Sequence, residues 1–103
     1  MKYIYLMQSL EEGFYKIGVS KHPNKRINEL NTGNSSPLKL IEIYKSEYAY
    51  QIEKTLQRKY SFFKKNGEWF DLSLDVEINF NSDCRQIETN IIELIKSGNA
   101  FIK

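Results

Sequence analysis

The sequence predicts a small α+β domain, with a three-stranded, mainly antiparallel sheet flanked by helices. Three observations predict it. Tyr3-Ile4-Tyr5-Leu6-Met7 and Phe14-Tyr15-Lys16-Ile17-Gly18-Val19 are aromatic and aliphatic runs, and the polar Ser9-Leu10-Glu11-Glu12-Gly13 between them ends in a turn residue, the pattern of a β-hairpin. Leu38 to Lys45 is a third strand-like run, with Leu38 and Leu40 and, less regularly, Ile41, Ile43 and Tyr44 apolar. Apolar residues at helical spacing follow at Ala49, Ile52, Leu56, Tyr60 and Phe63, separated by 3, 4, 4 and 3 positions.

The remaining elements fit between these. Ser20-Lys21-His22-Pro23 opens a first helix, because proline's missing N–H costs nothing at the first helical position. Ile27 and Leu30 give that helix its inward face, and Asn31 to Pro37 reads as a loop. Ser46 is the expected N-cap of the second helix, with Glu47 in its first turn opposing the helix dipole. Lys64-Lys65-Asn66-Gly67 ends it. Leu74-Asp75-Val76-Glu77-Ile78-Asn79-Phe80 alternates with period two and predicts a strand. Asp83 to Ser97 reads as a final helix, with Cys84, Ile87, Ile91, Leu94 and Ile95 inward and Gly98 as its stop.

A length of 103 residues suits one domain with a modest core, and 41% hydrophobic with 27% charged residues is ordinary for a globular chain. The net charge of +2 conceals an asymmetry. Residues 1–65 hold twelve Lys/Arg against six Asp/Glu, while residues 66–103 hold three against seven. A basic front end favours a polyphosphate ligand through counterion release, although an unevenly charged solvated surface has the same composition. Cys84 stands alone, so neither an intrachain disulfide nor a cysteine metal cluster is expected. The apolar run from Tyr3 to Met7 is too short for a signal peptide or a membrane span, so no membrane partner and a cytoplasmic setting are expected.

Four residues carry candidate chemistry. At about 100° per residue, Glu53 lies just past the edge of the Ile52–Leu56–Tyr60 stripe, where a carboxylate reaches a cleft or remains ordinary surface. Arg26 falls about 40° from Leu30 and leans inward, either towards a phosphate or with its stem along apolar surface. Tyr5 and Lys16 project near one end of the hairpin. A lysine there either assists ionisation of the phenol or merely lies along a packed tyrosine. Gly18 allows close backbone approach at the strand end. Glu68 is open to three roles: a cap, a partner for a lysine, or a positioning group.

Taken in order, Tyr3-Ile4-Tyr5, Lys16-Ile17-Gly18, Arg26, Glu53 and Glu68-Trp69-Phe70 resemble the GIY-YIG nucleases. Ten residues separate Tyr5 from Lys16, and Arg26 follows Gly18 by eight positions, as in that family. Lysine in place of the second tyrosine, a Glu53-Lys54-Thr55-Leu56 helix and the Glu-Trp-Phe ending are similar to a branch with restriction-type and phage-encoded members. The resemblance covers residues 2 to about 72. It implies one nuclease domain over 1–103, with 73–103 as a C-terminal extension packing on it. It also implies a divalent-metal-dependent endonuclease acting on DNA. Tyr5 would be the general base, Lys16 its tuning partner, Arg26 the stabiliser of transition-state charge, and Glu53 the protein ligand of Mg²⁺ or Mn²⁺. Lys21, Lys25 and Arg26 would contact DNA. Three residues depart from the family pattern: Tyr3 for glycine, Gln57 for a histidine, and Leu30 where relatives carry a His or Tyr on the scissile phosphate. The rival expectation is a catalytically weak or inactive nucleic-acid-binding or protein-interaction module. So small a domain has little room for a DNA-reading module, so sequence specificity is expected from a homodimer or a partner, or to be low.

Overall fold

The computed structural model describes residues 1–33, 36–65 and 67–98. The elements in chain order are β1 (Lys2–Ser9), β2 (Tyr15–Ser20), α1 (Pro23–Thr32), β3 (Leu38–Ser46), α2 (Ala49–Lys59), a short 3₁₀ turn (Ser61–Phe63), β4 (Trp69–Phe70) and α3 (Asp75–Lys96). The α+β class expected from sequence is what the chain adopts. The sheet has four strands in the order β3-β1-β2-β4, all neighbours antiparallel. The two-residue β4 is the addition to the three strands expected, and a run so short leaves no periodicity to read.

Alternation along β1 separates two cores. Ile4 and Leu6, with Tyr15 and Ile17 of β2, pack on Ile52 and Leu56 of α2 and on Val76, Phe80, Cys84 and Ile91 of α3. Tyr5 and Met7 face the other way, with Ile27 of α1, Leu38, and the partly buried Leu30, Leu40 and Trp69. A β-bulge between Leu6 and Met7 takes Ile41 out of register with β1, which explains the irregular apolar pattern of β3. In the hairpin loop Gly13 sits at φ +78°, a left-handed value, and its N–H bonds the Ser9 carbonyl at 2.7 Å.

Three local expectations are corrected. Leu74 to Phe80 is not a strand: α3 starts at Asp75. Val76, Phe80 and Cys84 are buried at helical spacing, while Leu74 and Ile78 are 67% and 76% exposed, so the period-two reading matched the wrong neighbours. Ser46 does not cap α2, and Glu47 is not in its first turn. The helix begins at Ala49, and Ser46 ends β3, where its hydroxyl accepts the Tyr48 N–H at 3.0 Å and donates to Glu88. Phe63 is not in the buried stripe. The helix stops at Lys59, the 3₁₀ turn changes the period, and Phe63 is 47% exposed.

Tyrosine–carboxylate bonds tie α3 to the rest. Tyr15 donates to Glu77 at 2.6 Å, Tyr44 to Glu88 at 2.8 Å, and Tyr60 more loosely to Asp83 at 3.5 Å. Burial, reinforced by these carboxylates, pushes the Tyr15 and Tyr60 phenols up to about 12 and Tyr44 in the same direction. Unfolded tyrosines ionise near about 10 and shed protons first, so stability falls as pH rises from about 10 towards about 12. Urea midpoints measured across that range should drop, and Tyr15→Phe should flatten the drop. A parental midpoint indifferent to pH over this window contradicts the tethering role.

Candidate active site

The site begins with a close approach between β1 and β2. Tyr5 and Gly18 are cross-strand partners, and a Cβ placed on Gly18 would fall within the Tyr5 ring, against Cζ and the hydroxyl oxygen. Only glycine leaves room for the ring to lie across β2. Tyr5 is 3% exposed, and none of the described residues bonds its hydroxyl. Among the described residues no buried side-chain polar atom lacks a partner, so the phenolic oxygen is the tip through which this ring meets solvent.

Two positions from Gly18, on the same face of β2, lies Lys16. Its stem is buried, and its ammonium ends 2.8 Å from Glu68 Oε2. No hydrogen bond joins it to Tyr5. The Lys16 hydrogen bond and charge hold the Glu68 carboxyl below its ordinary value, and Arg26 and Lys64 add to the effect. Of the three roles open to Glu68, the structure shows the lysine partner.

β4 pairs only with Tyr15 and Lys16, so the edge of β2 from Ile17 onward is uncovered by strand. Helices from both faces of the sheet contact β2. From α1, Arg26 makes only a loose pair with Glu29 at 3.8 Å, leaving its guanidinium half-exposed and close enough to influence Glu68. From α2, the Gln57 amide reaches the Ile17 carbonyl at 3.4 Å, where sheet pairing has stopped. Glu53, one helical turn earlier, is half-buried between the fully buried Ile52 and the exposed Lys54. Burial raises the Glu53 carboxyl above its ordinary value, the Glu68 carboxylate raises it further, and Lys54 partly offsets them.

A groove of about 510 Å³ opens beside this edge, lined by Lys54, Gln57, Arg58, Ser61, Lys64, Gly67, Glu68 and Phe70. Lys21 and Lys25 are elsewhere, in a separate hollow of about 500 Å³ with Tyr3, His22 and Ile43 at the start of α1. Leu30 packs into the second core and offers no polar group on its side of α1.

A divalent cation would find two carboxylates near this edge, Glu53 and Glu68. Among the described residues no group of three or more His, Cys, Asp or Glu could hold a metal ion. Mg²⁺, however, is commonly held by one or two carboxylates, with water and phosphate oxygens completing its shell. Glu68 is committed to Lys16, which leaves Glu53 as the carboxylate whose ionisation a cation would relieve.

No curated protein and no solved structure matches the chain. One family model does, the T5orf172 domain, over residues 2–96. The chain belongs to the T5orf172 domain family. This overturns the GIY-YIG assignment drawn from the paired triplets, since T5orf172 is a different family. The triplets misled because they reflect strand pairing: Tyr5 and Gly18 are partners in an antiparallel ladder, and Tyr3, Leu30 and Gln57 already departed from the pattern. T5orf172 domains are associated with nuclease-like and DNA-binding functions, so the family is compatible with a nucleic-acid-related role. No helix among the described residues is long and apolar enough to cross a membrane.

Sequence reasoning missed the basic lining of the groove in this T5orf172 domain. Lys54 and Arg58, four positions apart on α2, share one face of the helix. A signal was there: residues 54–65 hold five Lys/Arg and no Asp/Glu.

Proposed function

We propose that this T5orf172 domain is a divalent-metal-dependent endonuclease that hydrolyses DNA phosphodiester bonds. The proposal is supported by the Tyr5 ring lying across Gly18 of β2, with Arg26 of α1 and Glu53 of α2 each near enough to Glu68 for their charges to interact. In its phenolate form, reached by loss of the hydroxyl proton to solvent, Tyr5 would accept a proton from the attacking water. Arg26 stays charged at any working pH, and its planar fork suits the oxygens of a phosphate gaining negative charge. Lys16 neutralises Glu68, so that the groove meets a polyanion without an unpaired carboxylate. Glu53 would hold Mg²⁺ or Mn²⁺, which when bound supplies Lewis-acid stabilisation of the leaving oxygen. The setting proposed is a cytoplasmic one.

Supercoiled-plasmid nicking in Mg²⁺ and in EDTA tests this. Nicking in Mg²⁺ alone is expected, and Arg26→Ala should slow it by about two to three powers of ten. A parental protein that nicks equally in EDTA contradicts the metal requirement. Leu30, apolar and turned into the core, favours a second reading: a DNA-binding module without catalysis, which would bind the plasmid and leave it intact in either condition.

A further inference from the structure

Phe62 is the most exposed large apolar side chain described, at 90%, and the proposed chemistry does not use it. It sits in the 3₁₀ turn between two residues at the groove, Ser61 immediately before it and Lys64 two positions on. Phe63 holds it from one side in an edge-to-face contact, with centroids 5.4 Å apart. That contact leaves most of the Phe62 ring bare. An exposed aromatic would suit an apolar protein partner, as would the bare Leu74 and Ile78, were its surroundings neutral. They are not. Lys54, Arg58 and Lys64 line the adjoining groove, and Glu68, its acidic lining residue, is paired with Lys16. The charge fits a phosphate chain and the ring fits the face of a base, the pairing of features that binds single strands.

We infer that this groove and Phe62 form a single-strand platform: Lys54, Arg58 and Lys64 track the phosphates of an unpaired DNA segment while one base stacks on Phe62. The inference deepens the proposed nuclease function, on which it rests, by naming a substrate with an unpaired stretch beside the cleavage site. The groove includes Gln57, whose amide meets the Ile17 carbonyl at the uncovered edge of β2, so a strand seated there would pass beside the site.

The test is fluorescence anisotropy with labelled oligothymidine and with a duplex of equal length, in EDTA so that no cleavage intervenes. Phe62→Ala should weaken oligothymidine binding about tenfold, within the range of one lost base stack, and Phe62→Trp should restore it. Duplex binding by Phe62→Ala should stay within about twofold of the parent, since phosphate contacts supply non-specific duplex affinity. The Lys54→Gln/Arg58→Gln/Lys64→Gln triple variant should weaken both and reduce the salt dependence of single-strand binding, where each lost phosphate contact removes about 0.7 from the log–log slope. Equal oligothymidine affinity for parent and Phe62→Ala overturns the platform, and Phe62 then belongs to a protein-docking face. Should the parent still nick plasmid in Mg²⁺, that failure leaves the nuclease proposal standing. Phe62-dependent binding without any nicking upholds the platform and sinks the nuclease.

Discussion

Glu53→Gln is expected to reduce metal-dependent cleavage by two to three powers of ten and, in the absence of metal, to raise the thermal midpoint. The two effects share one cause. Burial and the Glu68 carboxylate both work against the charged form of Glu53. The folded pKa lies above its unfolded value of 4.5, so the stability this group contributes is fully present only below that value. It is lost as pH rises through the folded pKa, and at neutral pH the ionised carboxylate is a net cost. Glutamine keeps the shape and removes the charge, so the fold gains while the ligand is lost, a trade common at sites built for function. The loss of rate should be of the size seen when one charge-stabilising group leaves a site. Protons compete with the cation for this carboxyl, so the parental acid limb should move to lower pH as Mg²⁺ is raised towards saturation. Differential scanning calorimetry with EDTA, alongside initial rates at saturating Mg²⁺, checks both halves. A variant that melts lower than the parent makes Glu53 a structural residue.

Gly18→Ala is expected to be nearly as damaging by a different route. The added methyl would overlap the Tyr5 ring, which packs in one core cluster with Met7, Ile27 and Leu38, so the ring must shift against its neighbours. Overpacking of this kind costs roughly 1–3 kcal/mol, and the displaced phenol would leave the edge of β2. Denaturant midpoints should fall accordingly and cleavage should collapse. Tyr5→Leu in the Gly18→Ala background should recover stability, because the two changes act on one contact, but no activity. Additive losses in the double variant would mean that the ring and residue 18 do not meet.

The legible parts of this fold were those written in local periodicity: the hairpin, the Ile52–Leu56 stripe, the third strand and Pro23 at the start of α1. What escaped depended on partners distant in sequence. The alternation from Leu74 to Phe80 gives the same letters for a strand or for the first turns of α3, and only packing of Val76 and Phe80 under the sheet decides between them. Ser46 resembles a cap by residue type, yet Glu88, 42 positions on, claims its hydroxyl. At the site, Gly18 was read as permitting close backbone approach, and the group that approaches is the Tyr5 ring. The partner of Lys16 was not legible, because Glu68 reaches it only through the register of β2 with β4. Lys21 and Lys25 were expected with Arg26 as DNA contacts, and the start of α1 places them in a hollow of their own.

Tyr5→Phe bears most directly on the central claim that the solvent-reaching phenol at the edge of β2 serves a phosphodiesterase. Single-turnover cleavage of a labelled duplex in Mg²⁺ should fall by about two to four powers of ten, the contribution of a positioned base. DNA affinity measured by anisotropy in EDTA should stay within about threefold of the parent, since the substitution removes one oxygen from a residue already buried. Parental cleavage rates from Tyr5→Phe would make Tyr5 a packing residue and contradict the account.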